Sequence, residues 1–308
     1  MATTRRDLLK LGAGAAASLA MPGYALGQQG GLISRPIPTT GHEVPIIGIG
    51  TARRYDVGPD EAERAPLREV LGAYSQLGGT VIDTAPSYGS AEEVCGDIVR
   101  ELGNRDELFI ATKVSLRGRS GRDAGIAQIQ ESMRRFGTEY IELMQIHNLN
   151  DWRTQLELLR EWKDEGRLGN IGITTSFDRQ YADFESVMRE PGLDTIQVDY
   201  AIDNRGAEDR ILPLAAERGL AVLVNLPFSR GRTFERVGPR PLPDWAAEYG
   251  IESWAQYFLK WVVSHPAVTV AIPGTAKLEY LIDNLGAARG AMPDQAARRR
   301  MVSYFESL

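Results

Sequence analysis

The sequence predicts an α/β fold in which eight parallel strands, each followed by a helix, close into one barrel. Short apolar runs of the kind found in buried strands alternate with longer segments whose apolar residues recur three and four positions apart. Such strict alternation over eight units is typical of a (β/α)8 TIM barrel. The predicted strands start at Ile46, Thr80, Leu108, Tyr140, Leu168, Thr195, Leu220 and Val268.

An open, doubly wound sheet is the competing fold. That fold usually carries a Gly-x-Gly-x-x-Gly turn after its first strand, where a dinucleotide phosphate binds. The nearest match here starts at Gly48 and lacks the third glycine. The chain also shows no repeated or low-complexity segment that would indicate a second domain, so we predict a single barrel domain over residues 36–308.

Bulk composition excludes several functional classes. The chain has 308 residues, of which 43% are hydrophobic and 25% charged, and a net charge of −6. No long basic run is present, so nucleic acid is not an expected partner. Cys95 is the only cysteine, and the chain has only three histidines, so neither an intramolecular disulfide nor a Cys- or His-rich metal site is expected.

Residues 1–27 resemble a twin-arginine export signal. Arg5 and Arg6 precede Leu8-Leu9-Lys10, with Leu8 where phenylalanine is usual, and a weakly apolar Gly/Ala-rich stretch follows. The resemblance implies a folded protein, often with its cofactor inserted, that the export machinery delivers to the periplasm or another exported location. Glycine and proline interrupt the stretch too soon for a stable membrane anchor. An ordinary amphipathic N-terminal helix is the alternative.

Each predicted element follows from a local signal. A turn at residues 39–41 predicts a short N-terminal β-hairpin that leads into the first barrel strand. Ser90 with Glu93 predicts a capping box at the start of the helix over residues 90–102, and Asp151 is the predicted cap of the helix over residues 151–165. A Pro/Gly/Arg-rich excursion over residues 227–244 follows the seventh strand. Helices are predicted over residues 59–78, 90–102, 125–137, 151–165, 177–190, 209–219, around 254–261, and over 278–288 as the last major helix.

Four side chains of complementary chemistry fall at successive strand ends. Asp83 ends the second strand, Lys113 the third and His147 the fourth, while Tyr88 lies in the loop after the second. The active site of a βα barrel lies at the carboxyl ends of its strands, so we expect these four residues to converge. Each has a structural interpretation on its own: a buried ion pair, a core histidine, a packed loop tyrosine.

The combination predicts general acid catalysis. A tyrosine with its ordinary pKa of about 10 is a poor acid near neutrality. We expect Lys113 to lower the pKa of Tyr88, and Asp83 to hold Lys113 in place. His147 would orient a carbonyl oxygen or share in the proton relay. The set contains no nucleophile and no metal ligand cluster, so a hydride or electron source must come from outside the protein.

These motifs resemble the aldo-keto reductase family along nearly the whole chain after residue 36. The matching segments are GIGTA at 48–52, DTAPSYG at 83–89, ATKV at 111–114, QIHN at 145–148, GNIGITTS at 169–176, IQVDY at 196–200 and IPGTAKLEYLIDN at 272–284. The resemblance implies reduction of aldehydes or ketones with NADP(H). It also implies a catalytic tetrad of Asp83, Lys113, His147 and the proton donor Tyr88.

The resemblance also implies a cofactor site. Gly50, Thr51 and Asp83 would flank the nicotinamide and its ribose, and Thr174 with Gln197 would hold the carboxamide. The adenosine phosphate and the adenine would meet the turn after the last strand and the helix that follows, where backbone amides suit an anion. Those residues are Gly274, Thr275, Lys277, Asp283 and Asn284.

Three departures from the family pattern stand out. Asn225 replaces the aromatic ring that usually stacks on the nicotinamide, so Phe228, Phe234 and Trp245 are candidate substitutes. The usual Ser-Asn pair that binds the carboxamide is Thr174-Thr175 in this chain. The arginine common near the 2′-phosphate has no clear counterpart. Lys277 can supply that charge, which favours NADPH, with NADH as the alternative.

The predicted function is therefore reduction of a small carbonyl substrate by an exported, NADP(H)-dependent enzyme. Because the nicotinamide-stacking ring is missing, the alternative is a nucleotide-binding barrel with slow or no turnover, acting as a sensor or partner subunit. Loops after the first, fourth and seventh strands would set the substrate. Their candidate contacts are Tyr55, Asn148, Trp152, Phe228 and Arg230.

Overall fold

The structure is a computed structural model that describes residues 31–308. Its first two strands form an antiparallel hairpin. Strands β1 (Ser34–Pro36) and β2 (Glu43–Pro45) pair as the turn at residues 39–41 predicted. The predicted export signal, residues 1–27, lies outside the described residues. None of the helices in the described part of the chain is long and apolar enough to cross a membrane.

Eight strands follow, and each pairs in parallel with the next one along the chain. The sheet closes between its first and last strands, where Gly48 N–H donates to Ala271 O at 2.8 Å and Gly50 N–H donates to Pro273 O at 3.0 Å. The predicted (β/α)8 barrel is therefore confirmed. Its strands are β3 (Ile49–Gly50), β4 (Val81–Asp83), β5 (Phe109–Val114), β6 (Ile141–His147), β7 (Leu168–Thr174), β8 (Thr195–Asp199), β9 (Ala221–Asn225) and β10 (Val270–Ala271).

Helices surround the barrel, and they bury their apolar faces against its outer surface. Helix α10 is one that the sequence analysis missed, because it took the helix over 278–288 as the last major one. The helices are α1 (Glu61–Gln76), α2 (Ala91–Leu102), α3 (Arg122–Phe136), α4 (Trp152–Asp164), α5 (Tyr181–Met188), α6 (Ile211–Arg218), α7 (Arg232–Val237), α8 (Trp254–Val263), α9 (Leu278–Gly286) and α10 (Gln295–Ser307).

The two predicted side-chain caps take other roles. Ser90 precedes α2, but its hydroxyl donates to Val57 O at 2.8 Å instead of capping the helix. Asp151 precedes α4 in a left-handed backbone conformation, and its carboxylate accepts from Gly121 N–H at 2.8 Å. Both side chains therefore connect neighbouring loops. Both residues occupy the predicted N-cap positions, but neither side chain caps its helix.

Close backbone approach requires glycine at the point of closure. A Cβ atom on Gly50 would lie 2.7 Å from Ile272 O, which is closer than real Cβ atoms come to backbone oxygen. The backbones of β3 and of the segment after β10 can therefore meet only if residue 50 has no side chain. This contact places Gly50 and Gly274 side by side at the carboxyl end of the barrel.

The hairpin fills the amino-terminal end of the barrel. Ile37 and Val44 from the hairpin pack with the apolar residues that line the barrel interior. Thr39 donates to Asp194 at 2.6 Å, and Lys163 also binds that buried carboxylate, at 2.6 Å. Apolar packing and polar anchoring together close this end to solvent, so ligands can enter the barrel only from the carboxyl ends of the strands.

Candidate active site

Inward-facing side chains change from apolar to polar along β5 and β6. On β5, Phe109 and Ala111 belong to the apolar interior, and Lys113 follows them on the same face. On β6, Leu143 belongs to that interior, and His147 follows four residues later. The period of two along a strand thus brings the polar residues together in one layer at the carboxyl end, above an apolar floor.

Asp83 and Lys113 form a buried ion pair in this layer. Lys113 Nζ lies 2.9 Å and 2.8 Å from the two carboxylate oxygens and 2.7 Å from Thr84 O, so all three ammonium protons have acceptors. The Lys113 side chain is 0% exposed and that of Asp83 is 5% exposed. Burial favours the neutral amine, but Asp83 and Tyr88 together outweigh burial and raise the pKa of Lys113, which remains an ammonium.

Gln197 and Thr174 extend the polar network from Asp83. Gln197 Nε2 donates to Asp83 Oδ2 at 2.8 Å, and Thr174 Oγ1 donates to Gln197 Oε1 at 2.8 Å. Burial raises the pKa of the Asp83 carboxyl, while Lys113 and Gln197 oppose that change. The two side chains assigned to the nicotinamide carboxamide thus also orient Asp83, and the second amide proton of Gln197 remains for a ligand.

Tyr88 lies between Lys113 and His147. The Lys113 ammonium is 5.2 Å from the centre of the phenol ring, and the ring meets that of His147 edge-on at 6.0 Å. The expected lowering of the tyrosine pKa was wrong in its net direction. Burial raises the pKa of Tyr88 more than Lys113 lowers it. The phenol is therefore protonated near neutral pH, which is the state that a proton donor requires.

His147 is held in its neutral form by its surroundings. Burial, with smaller contributions from Lys113 and Arg117, lowers the pKa of this imidazole to about 3. Its Nδ1 lies 3.2 Å from Ser87 Oγ and 3.1 Å from Ser115 Oγ. These two serines engage Nδ1, so Nε2 is the nitrogen left to meet a substrate oxygen.

Sequence reasoning missed several residues of this site. Ser87, Ser115 and Arg117 surround His147, and Gln145 lies on the same strand face as His147, paired in register with Lys113. The Gln145 amide is buried, and it helps to hold down the pKa of the Asp83 carboxyl. The period of two would have identified Gln145 and Ser115, since each lies two residues from a predicted catalytic residue on the same strand path.

Two residues assigned to the nicotinamide side have buried polar atoms that could bind a ligand. Thr51 Oγ1 and Asn225 Oδ1 are both buried and without a hydrogen-bond partner in the described part of the chain. Buried polar atoms normally have partners, so each of these two atoms is able to form a hydrogen bond with a bound ligand. Thr51 follows Gly50 at the end of β3, and Asn225 ends β9. Both lie at the same end of the barrel as Asp83.

The residues assigned to the adenosine end divide into two groups. Asp283 accepts from Ser253 and Gln256 of the neighbouring helix, and Asn284 is buried and donates to Thr275 at 3.1 Å. Asp283 thus joins α9 to the start of α8, and Asn284 joins α9 to the turn after β10. Lys277 instead projects into solvent with a side chain 61% exposed, 3.7 Å from Glu279, and its charge is available to a phosphate.

The rings considered as substitutes for the nicotinamide-stacking aromatic pack elsewhere. Phe228 and Phe234 contact each other at 5.0 Å and both lie against Phe258 of helix α8. Trp245 packs on Tyr257 of the same helix, at 6.0 Å. All three rings are part of the aromatic cluster on α8, so the neutral amide of Asn225 is the group that β9 presents to the site.

Of the candidate substrate contacts, Tyr55 lies in the wrong place. Its side chain is fully buried in the core outside the strands, where burial, Cys95 and Tyr74 raise its pKa well above the usual value. Arg230 instead lines a cavity of about 370 Å³ beside the ends of β7, β8 and β9. Phe228 packs against Phe234 and Phe258, as described above. Asn148 lies in the loop that follows β6, and Trp152 is the first residue of helix α4.

Residues 31–308 contain no cluster of His, Cys, Asp and Glu that could hold a metal ion. The charged groups of the site are instead arranged for proton transfer. A buried ammonium lies beside a protonated phenol, and a neutral imidazole faces the same space. Such an arrangement can donate a proton to an oxygen that gains negative charge.

Comparisons with known proteins agree with this geometry. A sequence profile of the Aldo/keto reductase family matches residues 46–299. The chain is 31% identical over 212 residues to aldo-keto reductase YhdN of Bacillus subtilis, covering 63% of this chain and 62% of that protein. It is 29% identical to methylglyoxal reductase YeaE of Escherichia coli, covering 82% of this chain and 91% of the relative.

A solved structure shares the fold over almost its whole length. The aldo-keto reductase from Klebsiella pneumoniae in complex with NADPH superimposes with a TM-score of 0.75. It is 26% identical in sequence, and the match covers 89% of this chain and 96% of that one. The same barrel therefore occurs in a protein that binds a reduced nicotinamide cofactor.

Proposed function

The chain belongs to the aldo/keto reductase family, and on that premise we propose that Asp83, Tyr88, Lys113 and His147 are the catalytic residues of an NADP(H)-dependent carbonyl reductase. The observation that carries the proposal is their convergence: the Lys113 ammonium contacts Asp83 at 2.8 Å and lies 5.2 Å from the ring of Tyr88, which in turn contacts His147. The protein reduces small aldehydes or ketones to alcohols.

The chain's polar residues fit the cofactor. Thr51 and Asn225 have unpartnered buried oxygen atoms, and Gln197 has a spare amide proton, which together suit a carboxamide and a ribose. Lys277 has a solvent-exposed charge near the turn after β10, where it would meet the 2′-phosphate that distinguishes NADPH from NADH. When bound, NADPH supplies the hydride that the carbonyl carbon accepts.

The protein's own residues supply the proton. As the carbonyl oxygen gains negative charge, the Tyr88 hydroxyl donates its proton to that oxygen and becomes a phenolate. The Lys113 ammonium stabilises the phenolate, and Asp83 keeps that ammonium in position. His147 Nε2–H can donate a hydrogen bond to the same oxygen and orient it, because the imidazole is neutral. Solvent then returns a proton to Tyr88.

The substrate class includes small 2-oxoaldehydes. Relatives from Escherichia coli and Yersinia pestis are named methylglyoxal reductases, and each match covers most of this chain. The hairpin closes the opposite end of the barrel, so such a substrate enters among the loops at the carboxyl ends of the strands. Small, reactive aldehydes are therefore the first compounds to test.

Binding and turnover measured together test this function. We would titrate the full chain with NADPH and NADH by tryptophan fluorescence, and then follow oxidation of the reduced nicotinamide in the presence of aldehydes and ketones. The proposal predicts tighter binding of NADPH and turnover with small aldehydes. Binding without turnover of any carbonyl compound would instead support a sensor, and absence of binding would contradict the cofactor site.

We also propose that the twin-arginine motif directs export to the periplasm or beyond. The support is the order of Arg5-Arg6, Leu8-Leu9-Lys10 and an apolar stretch. Replacing both arginines with lysine keeps the positive charge and removes the motif. Cell fractionation should find the wild-type chain outside the cytoplasm and the double variant inside it. Equal distribution of the two proteins would contradict the proposal.

A further inference from the structure

Arg117 occupies the rim of the active site beside His147. It lies in the loop after β5, two residues after Ser115, and its guanidinium donates to the backbone oxygen of Ser87. Ser87 also contacts His147, with its hydroxyl 3.2 Å from Nδ1, and Ser115 contacts the same nitrogen at 3.1 Å. The guanidinium and the imidazole therefore flank the same short stretch of the Tyr88 loop.

The charge of Arg117 is not neutralised by the protein. Within residues 31–308 it forms no ion pair with a carboxylate, and its side chain is exposed to solvent. Arginines on the neighbouring helices and loops are paired: Arg64 with Asp97, Arg105 with Glu142, Arg122 with Glu161, and Arg135 with Glu92. Arg117 is thus an arginine at the mouth of the site that has no carboxylate partner among residues 31–308.

The four catalytic candidates together with Arg117 carry one excess positive charge. The Asp83 carboxylate already balances the Lys113 ammonium, at 2.8 Å. Tyr88 and His147 are both neutral near pH 7, for the reasons given above. Arg117 is left as the uncompensated charge, and its influence reaches His147, whose pKa it helps to lower. A negatively charged group on the substrate would restore neutrality at this point.

We propose that Arg117 binds a carboxylate group on the substrate, so that the enzyme prefers carbonyl compounds that also carry a carboxylate. This inference rests on the proposed carbonyl reductase function. Ser87 contacts both His147 and Arg117, so a substrate whose carbonyl oxygen lies between Tyr88 and His147 would bring a carboxylate to Arg117 past Ser87. A guanidinium has five N–H donors in a planar fork that matches a carboxylate, and the contact with Ser87 leaves most of them available.

A matched pair of aldehydes tests the inference. Para-carboxybenzaldehyde and para-formylbenzamide have nearly the same shape, but only the first carries a negative charge. With saturating NADPH, the wild-type enzyme should show kcat/KM about 10- to 100-fold higher for the acid than for the amide, the range expected for a charged hydrogen-bonded pair. Arg117→Met should bring this ratio close to unity, and Arg117→Lys should restore part of it.

Arg119 provides the matched control. It is an exposed arginine in the same loop, and its Nε donates to Leu116 O at 3.4 Å. Arg119→Met should keep both the activity and the acid-to-amide ratio of the wild type. NADPH titration of each variant checks that the barrel has folded and that the cofactor site is intact.

The possible results separate the two proposals. If the wild type reduces both aldehydes equally well, or if Arg117→Met keeps the preference for the acid, the carboxylate site is wrong while the reductase function stands. If Arg119→Met removes the preference as Arg117→Met does, the effect belongs to the charge of the whole loop and the assignment to Arg117 is wrong. If neither aldehyde is reduced although NADPH binds, the proposed function fails, and the inference fails with it.

Discussion

Replacing one partner of the Asp83–Lys113 pair should destabilise the fold far more than replacing both. The two side chains are 5% and 0% exposed, so Asp83→Asn leaves a buried ammonium with Thr84 O, at 2.7 Å, as its remaining backbone acceptor. Breaking a buried ion pair in this way costs about 3–5 kcal/mol. Lys113→Met leaves a buried carboxylate held by Gln197, and its cost should be similar.

The double variant removes both charges at once. Asp83→Asn with Lys113→Met leaves an amide and an apolar side chain of comparable volume, and no uncompensated charge remains. Its loss of stability should be smaller than the sum of the two single losses by roughly 3 kcal/mol. Because natural domains are stable by only about 5–15 kcal/mol, each single variant should be measurably weakened but still folded in the absence of denaturant.

Urea unfolding at neutral pH, monitored by circular dichroism, measures these changes as shifts of the urea concentration at the midpoint of unfolding, with an unchanged m-value. Lys277 and Glu279 form the control pair, since they lie 3.7 Å apart with side chains 61% and 60% exposed. Lys277→Met and Glu279→Gln should each change stability by no more than about 1 kcal/mol, and the pair should show almost no coupling. Additive losses at Asp83 and Lys113 would refute the argument that their charges depend on each other.

Three further predictions follow from other buried groups. The pKa of His147 is lowered to about 3, so the unfolded chain binds a proton at this residue more readily between pH 6.5 and 3. The free energy of unfolding should therefore fall as pH decreases through that window. His147→Gln should weaken this pH dependence in urea titrations, and an unchanged pH dependence would contradict the assignment. Glu92 is buried and accepts hydrogen bonds from Thr112, Ser132 and Arg135. Glu92→Ala should therefore lower the free energy of unfolding by about 2–4 kcal/mol. The neighbouring Glu93 is exposed, so Glu93→Ala should change the free energy of unfolding by less than about 0.5 kcal/mol. Burial raises the pKa of the Cys95 thiol, so a maleimide should label this cysteine only in denaturant; rapid labelling of the native protein would show that the core around α2 opens.

The barrel and its main polar residues were predictable because the signals are local. Each buried strand is a short apolar run, and the carboxyl ends of parallel strands meet at one face. Asp83, Lys113 and His147 all lie at the ends of such runs, so the sequence alone predicts that they lie in one layer. The hairpin was predictable for the same reason, from its turn residues alone.

Other features depend on contacts between distant segments and could not be predicted. Ser90 has the spacing of a capping box, yet its hydroxyl binds a loop 33 residues earlier in the chain. The pKa of Tyr88 depends on how deeply the ring is buried, which outweighs the nearby ammonium. Tyr55 follows the first strand closely in sequence, but its ring turns away from the barrel mouth into the core. Local patterns carry no information about these three outcomes.

Substituting Tyr88 with phenylalanine tests the central claim most directly. The change removes one hydroxyl group and keeps the ring that packs beside Lys113 and His147. We expect NADPH-dependent reduction of a small aldehyde to fall by about 100- to 10,000-fold, the contribution of a positioned general acid, while the affinity for NADPH stays the same. Wild-type turnover in Tyr88→Phe, with the cofactor bound, would show that another group donates the proton.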